Sequence, residues 1–472
     1  MGWTQPKTRL EFNRHYIVHL VGAARDNRFS TQQQPTPFPL TTQMAPDPFP
    51  FILPDGDTKS TKETISNITD VSLEITKQRE EMVYSPLSIQ IVLWLSTAGS
   101  KGSTKKQLLS FLKFKSVDQL SSLASHLIPL VFADGSARGG PCLCFANGLW
   151  VNKSFPIKPS FKDVVDTAYK VGIKHVSFQN TEKARREMNL WAKKATKGLI
   201  TEALPPGSIK KKTMLIISNA LCFKGHWSDK CWGLKRLHYF EDVYLIKENT
   251  RLPFNNKFKA SKTKEFAFHL LNRTCVKVPF MRSSENQFVE SFDGFKVLKL
   301  RYAQGEDKER QFSMFLVLPN ARYGLLSLVK RVCFEPSFLD RHHLESQVPV
   351  ADIKIPRFKI TSNFTAYEIP EDLELVLPFN GEGDLTKMVE SSPEGAAMFH
   401  KSFIEVDEEG TEAAAVSSYL GWSLSRGIKR PRRKLIDFVA DHPFMFFYHE
   451  GKDWNSFVHW SRSQSARRMI YH

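Results

Sequence analysis

The apolar positions of this chain have helical spacing in its first half and form strand-like runs in its second half. Helices are predicted at residues 65–75, 104–111, 117–132 and 159–169. A further helix opens at Pro86, which suits a first helical turn, and Ser85 can cap it. Because this helix stays apolar on most faces up to Gly99, we expect it to be central.

Continuous apolar runs predict buried strands. They are Cys144–Val151, Thr213–Phe223, Phe312–Leu318, Lys401–Val406 and Phe444–Tyr448. Residues Lys296–Tyr302 alternate apolar with basic side chains, which predicts a half-solvated strand. Helices followed by strands indicate an α+β fold with large antiparallel sheets.

The stretch from Phe399 to Gly427 begins as a predicted strand and continues through small side chains. Gly410 can act as a pivot because it lacks a Cβ. One interpretation of the small residues that follow is a flexible surface loop. The other is a loop that later inserts between two strands. Alternate residues would then face a packed interior, where only small side chains fit. Those residues are Thr411, Ala413, Ala415 and Ser417.

The 472 residues are enough for one large domain or two ordinary ones. Seven prolines fall between Pro35 and Pro54, so residues 1–60 are predicted to be a disordered Pro/Gln-rich extension of a domain that spans 61–472. No apolar run is long enough to span a membrane. Charged and polar residues interrupt the N-terminal apolar segment, so no signal peptide is expected and the sequence favours a cytoplasmic location.

The net charge of +17 would attract anionic partners. However, the basic residues are scattered except at Arg426–Lys434, and no nucleic-acid-binding motif is present, so we do not expect nucleic acid as a partner. Cys142 and Cys144 are too close for a metal knuckle. We therefore expect free thiols, with no metal and no cofactor.

Seven short motifs occur in an order that resembles the serpin family, specifically plant serpins, over about Lys62 to Glu450. They are Tyr84–Ile89, Asn219–Trp227, Val278–Met281, Phe312–Pro319, Ile355–Phe358, the Gly410 segment and Asp437–Phe444. The resemblance implies a serpin fold: three β-sheets, about nine helices and an exposed reactive-centre loop. It also implies an inhibitor of serine proteases and not an enzyme, in agreement with the lack of a Gly-x-Ser-x-Gly elbow.

The mechanism implied by the resemblance is that of a suicide substrate. The protease cleaves the exposed loop and becomes acylated, and the loop then inserts into sheet A as a new strand. The serpin resemblance also assigns roles to individual residues. The loop hinge would be Glu408, Gly410, Thr411, Ala413, Ala414 and Ala415. The shutter through which the sheet opens would be Ser85, Ser88, Asn219 and His400, and Trp227 would lie at the breach, the top of the opening.

The resemblance also implies a reactive bond about fourteen residues beyond the hinge glycine, at Leu424-Ser425, which suits a chymotrypsin-like protease. Arg426-Gly427 is the alternative and would direct the loop to a trypsin-like or Arg-specific cysteine protease. We expect a monomer. The resemblance leaves an extracellular location open.

Three segments depart from the family pattern. Residues 231–256 are an insertion, residues 426–434 are a basic run, and the tail from about 451 lacks an aliphatic final strand. The insertion and the altered C-terminus support an alternative function, a non-inhibitory serpin-fold binding protein that has lost trapping.

Overall fold

The structure is a computed structural model and describes residues 20–21, 85–228, 258–307, 310–334, 342, 344, 346–365, 383–390, 395–411 and 435–450. The predicted helix at 65–75, the insertion at 231–256 and the tail from 451 lie outside these residues. The described part contains six α-helices. They are α1 Pro86–Ala98, α2 Gly102–Leu112, α3 Val117–Val131, α4 Pro159–Val164, α5 Thr181–Ala195 and α6 Leu325–Phe334.

The strands form three sheets, as predicted. Sheet A contains β2 Cys142–Asn152, β3 Gly172–Val176, β4 Leu215–His226, β11 Phe358–Thr365 and β12 Ala396–Val406, in the order β11-β12-β4-β2-β3, with β13 Gly410–Thr411 also pairing β4. Sheet B has the order β1-β15-β9-β8-β7, from β1 Leu20–Val21, β7 Phe288–Phe292, β8 Phe295–Arg301, β9 Phe312–Pro319 and β15 Met445–Glu450. Sheet C has the order β14-β10-β6-β5, from β5 Lys264–His269, β6 Cys275–Ser283, β10 Val350–Pro356 and β14 Ile436–Val439.

Helix α1 packs against one face of sheet A, as its apolar sequence predicted. The Ser85 hydroxyl accepts a hydrogen bond from the Ser88 amide at 3.3 Å and so caps the helix, with Pro86 in the first turn. Ile217 of β4 belongs to the core beneath α1, whereas Ile216 belongs to the core beneath α5. Odd-numbered positions of β4 therefore face α1, because successive side chains of a strand point to opposite faces.

The predicted buried strands are confirmed, but the prediction of a half-solvated strand at Lys296–Tyr302 is wrong. Strand β8 is largely buried, and the Lys299 side chain is only 4% exposed. Its ammonium lies 5.3 Å from the ring centroid of Phe315 and 5.8 Å from that of Phe288. Aromatic faces attract cations, so the alternation of basic residues did not indicate exposure here.

A short strand from the N-terminal segment forms one edge of sheet B. Leu20 pairs with Phe446 and Val21 with Met445, in antiparallel register with β15. These two residues fall within the segment predicted to be disordered, and the rest of residues 1–60 lies outside the described residues. The disorder of the extension as a whole stays a prediction.

Candidate functional site

Sheet A contains a seam between two parallel strands, β12 and β4. Strands β12 and β4 pair in parallel from Ala396 opposite Leu215 to Phe403 opposite Cys222. Both strands continue beyond the last of these pairs, β4 to His226 and β12 to Val406. The pairing of β12 with β4 therefore ends before either strand does.

The predicted hinge starts where this pairing stops. After β12 the chain reverses in a turn in which the Asp407 amide donates to the Gly410 carbonyl at 2.9 Å. Strand β13 then pairs antiparallel with β4, Gly410 opposite His226 and Thr411 opposite Gly225. Two residues of the predicted hinge, Gly410 and Thr411, therefore pair with β4 in the antiparallel direction.

Gly410 has a backbone conformation that favours glycine, as its role as a pivot predicted. Its φ angle is +145°, which L side chains rarely adopt. A Cβ at this position would overlap the Gly225 carbonyl oxygen and approach the His226 Cα to 2.7 Å. The close approach of β13 to β4 therefore depends on the absence of a side chain at Gly410.

The carboxylate of Glu408 is buried between two partners. Its side chain is only 4% exposed. It accepts hydrogen bonds from Arg357, with the guanidinium Nε at 2.8 Å from Oε2, and from the Thr263 hydroxyl. Arg357 directly precedes β11, the edge strand of sheet A that pairs with β12. The ion pair therefore links the hinge to the edge of sheet A.

Trp227, the predicted breach residue, contacts the other side of the same turn. Its indole Nε1 donates to the Asp407 carbonyl at 2.9 Å, and its backbone amide donates to the Glu409 carbonyl at 2.9 Å. The ring stacks on Tyr302 with centroids 4.6 Å apart.

The carboxyl group of Asp407, in the same turn, has a raised pKa. Burial raises the pKa of this carboxyl to about 6, although the hydrogen bond from the Glu409 amide acts to lower the pKa.

Three of the four predicted shutter residues, Ser88, Asn219 and His400, meet at the middle of the seam. The Ser88 hydroxyl donates to Asn219 Oδ1 at 2.6 Å, and His400 Nδ1 lies 2.7 Å from the same oxygen. Because Asn219 Oδ1 can only accept, His400 carries its proton on Nδ1. Burial lowers the pKa of His400 to about 3, so the ring is neutral near pH 7. Ser85 contributes as the cap of the helix that presents Ser88.

Asn147 extends this chain of hydrogen bonds, and the sequence interpretation missed it. Its Oδ1 accepts from Asn219 Nδ2 at 2.7 Å. The register explains the contact, because β2 places Asn147 opposite Asn219 and β12 places His400 opposite it from the other side. The signal in the sequence was an asparagine within an otherwise apolar strand.

Other predicted site residues lie outside the described residues or have no described side chain. The backbone of Thr411 is described but its side chain is not. Outside the described residues lie the hinge alanines Ala413, Ala414 and Ala415, the bonds Leu424-Ser425 and Arg426-Gly427, and the basic run at 426–434.

The described residues offer little other chemistry. No group of three His, Cys, Asp or Glu side chains among them could hold a metal ion. The cysteines whose side chains are described, Cys142, Cys144, Cys222 and Cys275, are free thiols. Within the same part of the chain, no helix has the length and apolar character that a membrane crossing requires.

The sequence profile described as Serpin (serine protease inhibitor) matches residues 68–232 and 253–458. The chain belongs to the serpin family. The residues omitted from the match, 233–252, lie inside the predicted insertion. Serpins are protease inhibitors and not enzymes, so the seam and the hinge belong to an inhibitor fold.

The relatives of this serpin include plant proteins. It is 45% identical over 397 residues to Serpin-ZX of Arabidopsis thaliana, an alignment that covers 81% of this chain and 94% of the relative. It is 43% identical over 376 residues to Serpin-ZXA of Oryza sativa subsp. japonica, covering 78% of this chain and 86% of that protein. The chain is therefore a plant-type serpin, as its motifs predicted.

Solved structures show the same fold. Arabidopsis AtSerpin1 in its native stressed conformation aligns with a TM-score of 0.67 at 42% identity, covering 82% of this chain and 94% of that one. Uncleaved ovalbumin aligns with a TM-score of 0.61 at 20% identity, covering 81% of this chain and 95% of that one, a likeness that shows the fold alone.

Proposed function

We propose that this serpin inhibits serine proteases as a suicide substrate, by cleavage of its reactive-centre loop and insertion of the loop between β12 and β4. The observation that carries the proposal is the antiparallel pairing of Gly410 and Thr411 with the end of β4. The hinge thereby starts a strand at the one end of the seam where β12 and β4 no longer pair.

The register of β13 predicts where the rest of the loop would lie. Continued residue by residue, it places Ala413 opposite Phe223, Ser417 opposite Asn219 and Gly421 opposite Leu215. Paired residues on adjacent strands share a face of the sheet, so the odd-numbered loop residues would face the interior that Phe223 and Ile217 face. The small side chains at 413, 415 and 417 suit that interior.

The same register supports a reactive bond beyond Gly421. Leu215 is the first residue of β4, so the inserted strand would reach the far end of sheet A at Gly421. At about 3.4 Å per residue, that strand would be about 37 Å long. An acyl-enzyme attached at Leu424 would be carried over this distance. Distortion of its oxyanion hole would then slow deacylation.

Opening the seam breaks the backbone pairing of β12 with β4 and the side-chain hydrogen bond that accompanies it. The His400–Asn219 hydrogen bond crosses directly from β12 to β4, and Ser417 would take the place opposite Asn219. The ion pair of Arg357 with Glu408 holds the hinge at the start of the path. We propose that these contacts keep sheet A closed until cleavage frees the loop.

The test is formation of a covalent complex that survives SDS denaturation, with chymotrypsin, with trypsin and with an Arg-specific cysteine protease. We expect such a complex with at least one of these enzymes, and mass spectrometry of the released peptide distinguishes Leu424 from Arg426. Ala413→Arg would place a guanidinium in the interior opposite Phe223 and should convert the inhibitor into a cleaved substrate.

Glu412→Arg is the matched control, because its register partner Lys224 is half-exposed. It should retain the complex. Cleavage of the wild type with no covalent band across all three proteases would contradict the proposal.

The alternative is a non-inhibitory serpin-fold binding protein. It is supported by the position of the predicted insertion, which starts at Cys231, shortly after β4 ends at the breach. It predicts clean cleavage of the loop without a covalent complex and without a gain in thermal stability.

A further inference from the structure

Strand β15 has core on both of its faces, although only the two-residue strand β1 separates it from one end of sheet B. The side chains of its first four residues, 445–448, are between 1% and 4% exposed. Phe446 and Tyr448 belong to one core cluster, whereas Met445 and Phe447 belong to another. In this respect β15 resembles a central strand of a sheet that is covered on both faces.

The two backbone sides of β15 differ in how far they are paired. One side pairs with β9 over all six residues of the strand. On the other side only Phe446 and Met445 pair, with Leu20 and Val21, and no other strand in the described part of the chain lies there. An open strand edge exposes backbone N–H and C=O groups that readily pair with another strand. The backbone of residues 447–450 therefore has room for a strand that continues β1.

The register of β1 with β15 determines which residues would continue the pairing. Each step back along β1 is one step forward along β15, because the two strands are antiparallel. Tyr16 would then lie opposite Glu450, the last residue of β15. The segment Tyr16–Val21, with the sequence YIVHLV, would therefore cover the six residues of β15 with six of its own.

Segment Tyr16–Val21 has the composition of a strand that is buried on both faces. Five of its six residues are aliphatic or aromatic, and residues of these kinds favour strands. In the extended register Val18 lies opposite Tyr448, and the one polar residue, His19, lies opposite Phe447. Apolar side chains would thus face the core cluster of Tyr448, as they do along β15 itself.

Other parts of the chain suit this edge less well. The tail from about 451 is predicted to lack an aliphatic final strand, and its segment Ser456–Trp460 holds only three apolar residues. Another apolar run of the N-terminal extension, Phe51–Leu53, has proline on both sides, and proline cannot donate to a strand ladder. We propose that Tyr16–Val21 form one strand along the whole of β15, so that the extension completes sheet B within the same molecule. This proposal does not depend on the proposed function.

The first test is amide hydrogen exchange of the unmodified full chain, followed residue by residue by mass spectrometry. An antiparallel neighbour pairs alternate amides only, so three of the six amides of Tyr16–Val21 should exchange at least a hundredfold more slowly than those of Thr31–Gln34. The chain should elute as a monomer at the same concentration. Free exchange throughout Tyr16–Val21 would overturn the proposal. Protection of Ser456–Trp460 in its place would assign the edge to the tail, and a dimer would assign it to a second copy; either result overturns the proposal as well.

A designed disulfide tests the register. Tyr16→Cys with Glu450→Cys places thiols on two opposed residues, and the Cα atoms of such a pair are about 4.5–5.5 Å apart, within disulfide range. Ile17→Cys with Glu450→Cys is the matched control, because neighbouring residues of a strand point to opposite faces. After incubation with oxidised glutathione, peptide mapping should find at least tenfold more of the first disulfide than of the second. Equal yields would overturn the register.

A substitution in the segment tests the edge of β15 as a binding surface. Val18→Asp would place a carboxylate against the core cluster of Tyr448, where an unpaired charge is unfavourable, and should release the segment. A labelled peptide of residues 14–24 should then bind the Val18→Asp chain at least tenfold more tightly than the wild type, whose edge is already paired, as measured by fluorescence anisotropy. Phe12→Asp, outside the segment, is the matched control and should bind the peptide no better than the wild type. Equal binding to the three chains would overturn the proposal, and hydrogen exchange of the unmodified chain decides it if Val18→Asp does not fold.

Discussion

The neutral, buried His400 should make this serpin less stable in mild acid. Its folded-state pKa of about 3 lies below the ordinary value of 6.5. Between these two pH values the unfolded chain binds a proton that the folded chain does not. The contribution of His400 to the free energy of unfolding is therefore fully present above about pH 6.5 and is lost as the pH falls toward 3.

The size of the effect follows from the two pKa values. At pH 5, His400 is protonated in the unfolded state but not in the folded state. This difference lowers the free energy of unfolding by about 2 kcal/mol, at 1.36 kcal/mol per pKa unit. Asp407 acts in the opposite direction, because its pKa is raised to about 6 and folding becomes more favourable as it protonates below that pH. A comparison of two variants that share Asp407 removes its contribution.

The assay is urea unfolding of the wild type and of His400→Asn between pH 7 and pH 5. Asparagine does not titrate and retains an amide that can donate to Asn219 Oδ1. Its smaller side chain lowers stability by the same amount at every pH. We expect the wild type to lose about 2 kcal/mol more than the variant over this range. Parallel curves would refute the assignment of a neutral His400 in the folded state.

Three further predictions concern the hinge and sheet B. Arg357→Ala leaves the buried Glu408 carboxylate without its charged partner and should lower the unfolding free energy by about 2 kcal/mol, measured by urea unfolding. Gly410→Ala forces a side chain into a conformation with φ of +145° and should cost about 1–3 kcal/mol in the same assay. The double substitution of Leu20 and Val21 by proline removes backbone donors at the edge of sheet B and should cost about 1–2 kcal/mol, measured by thermal unfolding.

Each of these predictions has an outcome that contradicts it. Stability unchanged in Arg357→Ala would mean that Glu408 finds other partners. Tolerance of alanine at Gly410 would show that β13 does not approach β4 as closely as described. An unaltered melting curve for the Leu20 and Val21 double variant would exclude β1 from the stable part of sheet B.

The polar residues of the seam could be predicted from the sequence because they break apolar patterns. Asn219 and His400 interrupt runs that are otherwise strand-like, and Ser85 precedes a proline at a helix start. The serpin resemblance assigned Ser88, Asn219 and His400 to one shutter, and their side chains are in contact. Asn147 also interrupts an apolar strand, but none of the serpin motifs includes it. Only the register of β2 with β4 connects it to Asn219.

Other features depend on contacts that no local pattern encodes. Lys299 is buried because Phe288 and Phe315 come from two different strands to meet it. The pairing of Gly410 with His226 joins residues far apart in sequence, so it follows from the folded sheet and not from the loop. The strand at Leu20–Val21 likewise lies within a segment whose composition predicted disorder.

The central claim is that the cleaved loop becomes a strand between β12 and β4. The most direct measurement is thermal unfolding before and after loop cleavage by a protease that the serpin does not trap. The account predicts a large rise in melting temperature on cleavage, and loss of that rise in Ala413→Arg but not in Glu412→Arg. An unchanged melting temperature in the cleaved wild type would contradict it.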